Sequence, residues 1–522
     1  MSAGGLWGLA TRRASATPDA VVVVEPGGAV LTAAELVARA ERVAAGLAEV
    51  GVARGTVVSW ILPNRIDACI LTVALARLGA VQNPIVPILR EREVSFIVRQ
   101  AGSALLIVPG QWRGFDYRAM AEGIAGVAGR PAVLDVWAGM PEGDPTMLEP
   151  APDAGDECRW ILYTSGTTAE PKGARHTDAH LEAAMEGMVQ RLALGPDDRF
   201  AFIAPITHVG GIIQLMGALV TGCRLLAVEV FEIDEVVRFF REQGVTVGGL
   251  GTPTFTAYLA YQRAHPALAP LFPAIRAFAS GGAPTPSALH TELREAMGGV
   301  GVVSGWGLTE APMLTWNSVH DPDEILATTE GRPIPGVELV VVGPDGRHLA
   351  AGEEGELRAK GPQVMLGYVD ATLDAEAFDE HGYLRTGDLG VMDAEGNVRI
   401  TGRLKDVIIR NMENISALEL ETLLFSHPAV AEVAVIGIPD PVTGERACAV
   451  VVPDGAPPSL ADLCDHLRAA GLSTRKLPER LVVVDALPRN AMGKVAKAEL
   501  RAAVLATDAD TGTREPRGAG RA

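Results

Sequence analysis

Tyr163-Thr164-Ser165-Gly166-Thr167-Thr168-Ala169-Glu170-Pro171-Lys172-Gly173 is the stretch from which the rest of the chain is read. An apolar run, Trp160-Ile161-Leu162-Tyr163, leads straight into hydroxyl residues grouped around a glycine, and then into Pro171-Lys172-Gly173. Small residues let backbone N–H groups turn inward, Ser and Thr hydroxyls add donors, and Lys172 adds a positive charge. Together they form a mobile cradle for a triphosphate. The GxxxxGK[ST] loop is absent, so this is a cradle of another kind. The competing reading is a surface turn after a strand.

Outward from the cradle, strands and helices alternate. Thr32 is a suitable N-cap for a helix over Ala33–Val50, where Leu36, Val37, Ala40, Val43, Ala44 and Leu47 recur at helical spacing. A strand is predicted at Val57–Leu62, ended by Pro63-Asn64, then a helix at Ile66–Leu78 and an extended segment at Val81–Ile88. The rhythm resumes at Phe200–Ala204, Arg224–Val228, Val245–Leu250 and Ala274–Ala279. It predicts an α/β fold of mostly parallel sheets with helices on both faces. Near Glu330 the texture changes to short runs between Gly- and Pro-containing turns, which predicts an antiparallel, β-barrel-like region closing a large N-terminal domain. Beyond Arg403 the pattern is a compact α+β domain: helices over Ala417–Ser426 and Ser459–Ala470, strands at Val430–Gly437 and Ala447–Val452. The expected division is residues 1–402, a hinge at 403–406, a small mobile domain over 407–505, and a polar tail from 506 to 522 expected to be disordered.

A chain of 522 residues is too long for one ordinary core. With 45 basic and 64 acidic side chains its net charge is −19, which gives no broad electrostatic reason to bind nucleic acid or an anionic membrane. A polyanionic nucleotide must then be held by local amides and a few placed cations. The five cysteines form no CxxC pair and no zinc spacing. Free thiols, no signal-peptide core and no apolar run of roughly 20 residues predict a cytoplasmic protein with no membrane span.

Five further segments follow in order: Ser280-Gly281-Gly282-Ala283-Pro284, Gly305-Trp306-Gly307-Leu308-Thr309-Glu310, Tyr383-Leu384-Arg385-Thr386-Gly387-Asp388, Gly402-Arg403-Leu404-Lys405-Asp406 and Pro488-Arg489-Asn490-Ala491-Met492-Gly493-Lys494. With the cradle, they make the chain resemble the adenylate-forming superfamily: acyl-CoA synthetases, adenylation domains of nonribosomal peptide synthetases, and firefly-type luciferases. The resemblance spans roughly residues 10–505. It implies ATP-dependent activation of a carboxylic acid to an acyl-adenylate with release of pyrophosphate, then a thioester with coenzyme A as co-substrate. The alternatives are transfer to a carrier-protein thiol, or a silent nucleotide-binding homologue.

The resemblance also implies roles. Thr164, Ser165, Gly166, Thr167, Thr168 and Lys172 would hold the phosphates; Gly281, Gly282 and Ala283 would lie beside adenine and the acyl pocket. Trp306, in place of the usual Tyr, would pack on adenine beside Gly307. Thr309 would meet a phosphate, and Glu310 would hold Mg²⁺, which takes few ligands from protein. Asp388 would accept from the ribose hydroxyls, although an Asp after Thr-Gly also suits a helix cap. Arg403 would offer a planar fork to ribose or phosphate oxygens, Lys405 would be the pivot, and Lys494 would bridge carboxylate and α-phosphate. His208, in Ala204-Pro205-Ile206-Thr207-His208-Val209-Gly210-Gly211, stands where the family gates the acyl pocket; a structural His is its rival. Val209, Gly210, Gly211, Ile212, Ile213 and Met216 predict an apolar acid, and the motif holds no Asp to anchor an amino group.

The chain departs from the family at Ala169, at Trp306, and at Met412, which replaces a Gly beside the thiol tunnel. A homodimer is compatible with these expectations.

Overall fold

The computed structural model describes residues 4–126, 131–153, 155–164, 171–282, 285–410, 413–440, 442–489 and 494–511. Two compact units result, the first running to Ile400 and the second from Thr401, with Gly387–Gly390 grouped with the second.

The first unit contains two large sheets. One has the order Lys172–His176, Trp160–Thr164, Val81–Pro84, Val57–Trp60, Leu105–Val108, Ala132–Asp135. Every neighbouring pair is parallel except the first. The other runs Arg332–Pro333, Thr315–Trp316, Val302–Trp306, Ala277–Gly281, Val247–Leu250, Arg199–Phe202, Arg224–Ala227, Val21–Val24, Val30–Thr32, with a parallel centre and antiparallel edges. A strand such as Leu105–Val108 is buried at all four positions, the pattern of a sheet covered on both faces.

The helices follow from the same logic. Ile66–Leu78 is apolar all round and buried along Ala68 to Leu75, so it lies in the core. Ala33–Glu49 buries one stripe, with Leu36, Ala40, Val43 and Leu47 inside. Thr32 caps its start, as the sequence anticipates, and Glu35 completes a reciprocal capping box with it. A helix at Gly5–Ala16, which the sequence reading did not include, buries Leu6, Leu9 and Ala10. The barrel-like region is a four-stranded sheet with two ends, ordered Glu338–Val342, Glu354–Lys360, Leu384–Met392, Val398–Arg403. It packs Leu339, Val341, Leu357, Ala359 and Val398 into one apolar cluster on one face, so no closure into a barrel is needed to bury them.

In the second unit, Val430–Asp440 and Gly444–Pro453 form a long hairpin, flanked by Val407–Arg410 with Glu413–Ser416 and by a parallel strand, Arg480–Val483. Side chains alternate between faces with period two. Val435, Ala447, Ala449 and Val451 meet the helices Ala417–Leu424 and Leu460–Ala469. On the other face Ala434, Ile436, Ile438, Cys448 and Val450 meet Leu500 and Val504. These last two lie four apart on a helix that runs Lys497–Thr511. The tail expected from 506 is therefore helical as far as Thr511, because the turn that seats Val504 propagates; residues 512–522 lie outside the described residues.

Candidate active site

Four parallel strands, Arg199–Phe202, Val247–Leu250, Ala277–Gly281 and Val302–Trp306, end side by side, with Leu250 opposite Ser280 and Gly281 opposite Gly305. Ligands of open α/β sheets bind beyond such carboxyl ends. Gly281 and Gly282 are exposed there. Among the described residues, a Cβ on Gly281 would meet only the Gly305 carbonyl, at 3.7 Å. Gly305 itself admits no Cβ, which would lie 2.6 Å from the Trp316 ring. Trp306 is 8% exposed and belongs to the apolar cluster with Ala311 and Leu314.

Beyond Trp306 the chain turns sharply. Leu308 and Ala311 exchange backbone hydrogen bonds of 3.0 and 3.3 Å, which leaves Thr309 and Glu310 as the tip. A Cβ on Gly307 would strike the Met313 amide, so this residue must be Gly. Both tip peptides are tied down. The Thr309 carbonyl accepts from His176 Nε2 at 2.8 Å, and the Glu310 carbonyl from the Met365 N–H at 2.8 Å. The Glu310 carboxylate accepts from the Tyr368 hydroxyl at 2.7 Å. Burial, and then the neighbouring His180, push the His176 pKa down to about 3, so the imidazole is neutral with its proton on Nε2. Burial first, and then the Glu310 charge, raise that of Tyr368 and keep its hydroxyl protonated.

The cradle enters and leaves through an antiparallel pair. Thr164 stands opposite Lys172, and Lys172 opens the Lys172–His176 strand. Lys172, Ala174 and His176 share one face of that strand. The ammonium of Lys172 lies 5.4 Å from the centre of the Tyr368 ring. Ser165, Gly166, Thr167, Thr168, Ala169, Ala283 and Met412 lie outside the described residues.

His208 is the N-cap of the Val209–Thr221 helix, its Nδ1 accepting from the Gly210 N–H at 3.2 Å. The segment leading to it is pinned by Asn64, whose side chain donates to the Phe202 and Ala204 carbonyls at 2.9 and 3.0 Å and accepts from the Ile206 N–H at 2.7 Å. Gly210 is open, but a Cβ on Gly211 would strike the Pro205 carbonyl. Gly211 is therefore required by close backbone packing against Pro205 and Ile206. Ile212, Ile213 and Met216 are likewise in the main core.

In the second unit Asp388 is 2% exposed and pairs with Arg403 Nε at 2.7 Å, so two residues read separately from the sequence meet. Asp388 lies on the Leu384–Met392 strand, which excludes the helix-cap alternative. Lys405 lies in a short 3₁₀ turn, Leu404–Asp406. Lys494 is half-buried, between an Arg489–Val495 bridge pair.

Among the described residues no three His, Cys, Asp or Glu side chains cluster to hold a metal. A Mg²⁺ ion fits the remaining donor set, because one carboxylate, Glu310, suffices when phosphate and water supply the other oxygens. No described helix is long and apolar enough to cross a membrane.

Sequence reasoning missed His176, Tyr368, Met365 and Asn64. The alternation Lys172, Ala174, His176 was a usable signal for the first; Asn64 looked like a strand-ending turn, and nothing local marks the other two.

Two sheets with parallel centres, and the Thr309–Glu310 tip held against the Lys172 strand, are the frame of an adenylate-forming enzyme. Residues 10–369 match the AMP-binding enzyme family and residues 419–494 match the AMP-binding enzyme C-terminal domain. The chain belongs to this family, and it is an AMP-forming acid–thiol ligase, the enzyme class of the acyl-CoA synthetases. It is 33% identical to the long-chain-fatty-acid–CoA ligase FadD13 of Mycobacterium tuberculosis, covering 95% of this chain and 98% of that one. It is 33% identical to the salicyl-AMP ligase / salicyl-S-ArCP synthetase of the same organism, over 92% of this chain and 87% of that one. Among solved structures it resembles ATP-bound MatB from Rhodopseudomonas palustris, with TM-score 0.86, 30% identity, and coverage of 98% and 100%.

Proposed function

We propose that the chain activates an apolar carboxylic acid with Mg²⁺-ATP and passes the acyl group to coenzyme A. The observation that carries this reading is the Thr309–Glu310 tip, held against the strand that begins with Lys172. A phosphate lysine and a carboxylate able to hold a cation are thereby mounted on one rigid frame.

A carboxylate is a poor electrophile because its leaving group would be oxide. Its oxygen attacks the α-phosphorus of ATP, pyrophosphate leaves, and the acid becomes a mixed anhydride with AMP. The attacking carboxylate is already anionic, so no general base is needed, and the burden is to bring anions together and neutralise their charge. Lys172 holds the terminal phosphates with the cradle, and Glu310 holds the cation. Bound Mg²⁺ supplies neutralisation of phosphate oxygens. Asp388 takes the ribose hydroxyls with Arg403 beside it. Lys494 is the cation between carboxylate and α-phosphate, and Lys405 the pivot that withdraws it before the thiol arrives. The thiol sulfur then bonds to the acyl carbon, AMP leaves, and the thiol proton goes to solvent.

The uncharged stretch around His208 and the open space at Gly210 and Gly281 favour an apolar acid. One specific feature favours a second reading, in which the chain stops at the adenylate or hands it to a carrier protein: Met412 replaces the Gly beside which pantetheine would pass. ATP–pyrophosphate exchange over a panel of acids, followed by thioester detection with coenzyme A and with a loaded carrier protein, tests both. Exchange without either thioester would overturn the ligase step, and a thioester on carrier protein alone would favour the second reading.

A further inference from the structure

The Tyr368 hydroxyl is the described partner of the Glu310 carboxylate, at 2.7 Å, while the Lys172 ammonium sits 5.4 Å from the centre of the same ring. One side chain thus touches both groups to which the function assigns the phosphate end of ATP.

Its placement is specified from both sides. The segment carrying Tyr368 is zipped to the Lys172 strand by Leu366 N–H to the Arg175 carbonyl at 2.8 Å, Arg175 N–H to the Gly367 carbonyl at 3.0 Å, and Val369 N–H to the Gly173 carbonyl at 2.8 Å. The Tyr368 N–H donates to Asp374 Oδ1 at 2.8 Å. Gly367, with φ of +122°, brings the chain so close to Asp374 that a Cβ would lie 2.5 Å from that carboxylate. Burial alone does not explain the Tyr368–Glu310 bond. Tyr258, fully buried, has a hydroxyl with no partner among the described residues, and buried Tyr117 uses a backbone carbonyl.

We propose that Tyr368 is a positioning residue: its hydroxyl fixes the Glu310 carboxylate in the pose that receives Mg²⁺, and its ring aligns Lys172 with the same phosphates. A carboxylate held by a second donor enters a metal site already oriented, and loss of such a partner typically weakens metal binding about 10- to 100-fold. The inference rests on Glu310 being the metal carboxylate.

Tyr368→Phe removes the hydroxyl and keeps the ring over Lys172. The test reads Mn²⁺ bound to the enzyme saturated with α,β-methylene-ATP, by electron paramagnetic resonance, together with pyrophosphate exchange against free Mg²⁺. Thermal melting of each variant without nucleotide reports any loss of fold. The expected result is about 10-fold weaker Mn²⁺ binding and a matching shift of the Mg²⁺ midpoint. The KM for the acid should stay constant, and the shift should not add to that of Glu310→Gln. If Glu310→Gln weakens Mn²⁺ binding but Tyr368→Phe does not, the positioning role is overturned while Glu310 keeps its assignment. If Glu310→Gln itself leaves Mn²⁺ binding intact, the reading of Glu310 falls and the proposal falls with it. A lower melting temperature with exchange reduced equally at all Mg²⁺ concentrations would show Tyr368 to be structural and overturn the proposal as well.

Discussion

The strand ends of the first unit and the Asp388–Arg403 pair of the second hold polar groups in opposite ways. At the Thr309–Glu310 tip, backbone carbonyls take neutral donors, and glycines allow the chain to approach itself closely. Asp388 is instead held by a cation whose side chain is 40% exposed. A neutral hydrogen bond inside a packed frame has no substitute when broken, because the acceptor left behind stays buried. A half-exposed guanidinium can trade its carboxylate for water or ligand oxygens at little cost. The first arrangement suits groups that must not move, and the second suits groups that exchange partners as substrate enters.

The largest effect should come from the second unit. Lys494→Ala removes one electrostatic contact to the transition state and should slow pyrophosphate exchange about 10²- to 10³-fold. Thioester formation from supplied acyl-adenylate should be largely spared. Equal loss in both half-reactions would rule out a lysine dedicated to the first.

Next is the packed frame. Gly211→Ala forces a Cβ into the Pro205 carbonyl and should destabilise the fold by about 1–3 kcal/mol. Gly210→Ala, with only its neighbour His208 at 3.5 Å, should stay near wild type. Chemical denaturation of both variants decides the matter, and equal stabilities would break the comparison at its rigid end.

Asp388→Ala should raise the KM for ATP about tenfold, the worth of one charged hydrogen bond of about 1.5 kcal/mol. Stability should change little, since Arg403 can rehydrate. A large drop in denaturation midpoint with an unchanged KM would show the pair to be structural.

The smallest effect is a slope. His176 is neutral and buried, with its pKa lowered from 6.5 to about 3, whereas the unfolded chain protonates it near 6.5. Between those values the unfolded state binds the extra proton, so stability rises with pH, by at most about 1.4 kcal/mol per unit. His176→Gln keeps an N–H donor and removes the titration. The variant should lose less stability than wild type as pH falls from 6.5 toward 4, and parallel curves would mean that His176 is not held neutral.

Local chemistry made much of this molecule readable. Thr32 announces a helix start, and Ile66–Leu78 is visible because a helix apolar on nearly all sides has nowhere to lie but the core. The Gly305–Glu310 turn is legible because glycine and hydroxyl residues at fixed spacing leave a pattern in adjacent positions. Tyr368 was not legible: its carboxylate partner is 58 residues away, and a tyrosine in a loop carries no periodic mark. Asn64 was read as a strand ending because its partners lie some 140 positions further on.

The sequence by itself determined the class of chemistry, the order of the motifs and most of the strands and helices, since each depends on residues close together in the chain. Only the tertiary structure decided which glycines make room and which permit backbone contact, and which side chains hold Glu310. Those properties belong to distances between remote segments. Gly210 and Gly211 are neighbours of identical composition, yet the space around one is open and the space beside the other is filled by the Pro205 carbonyl.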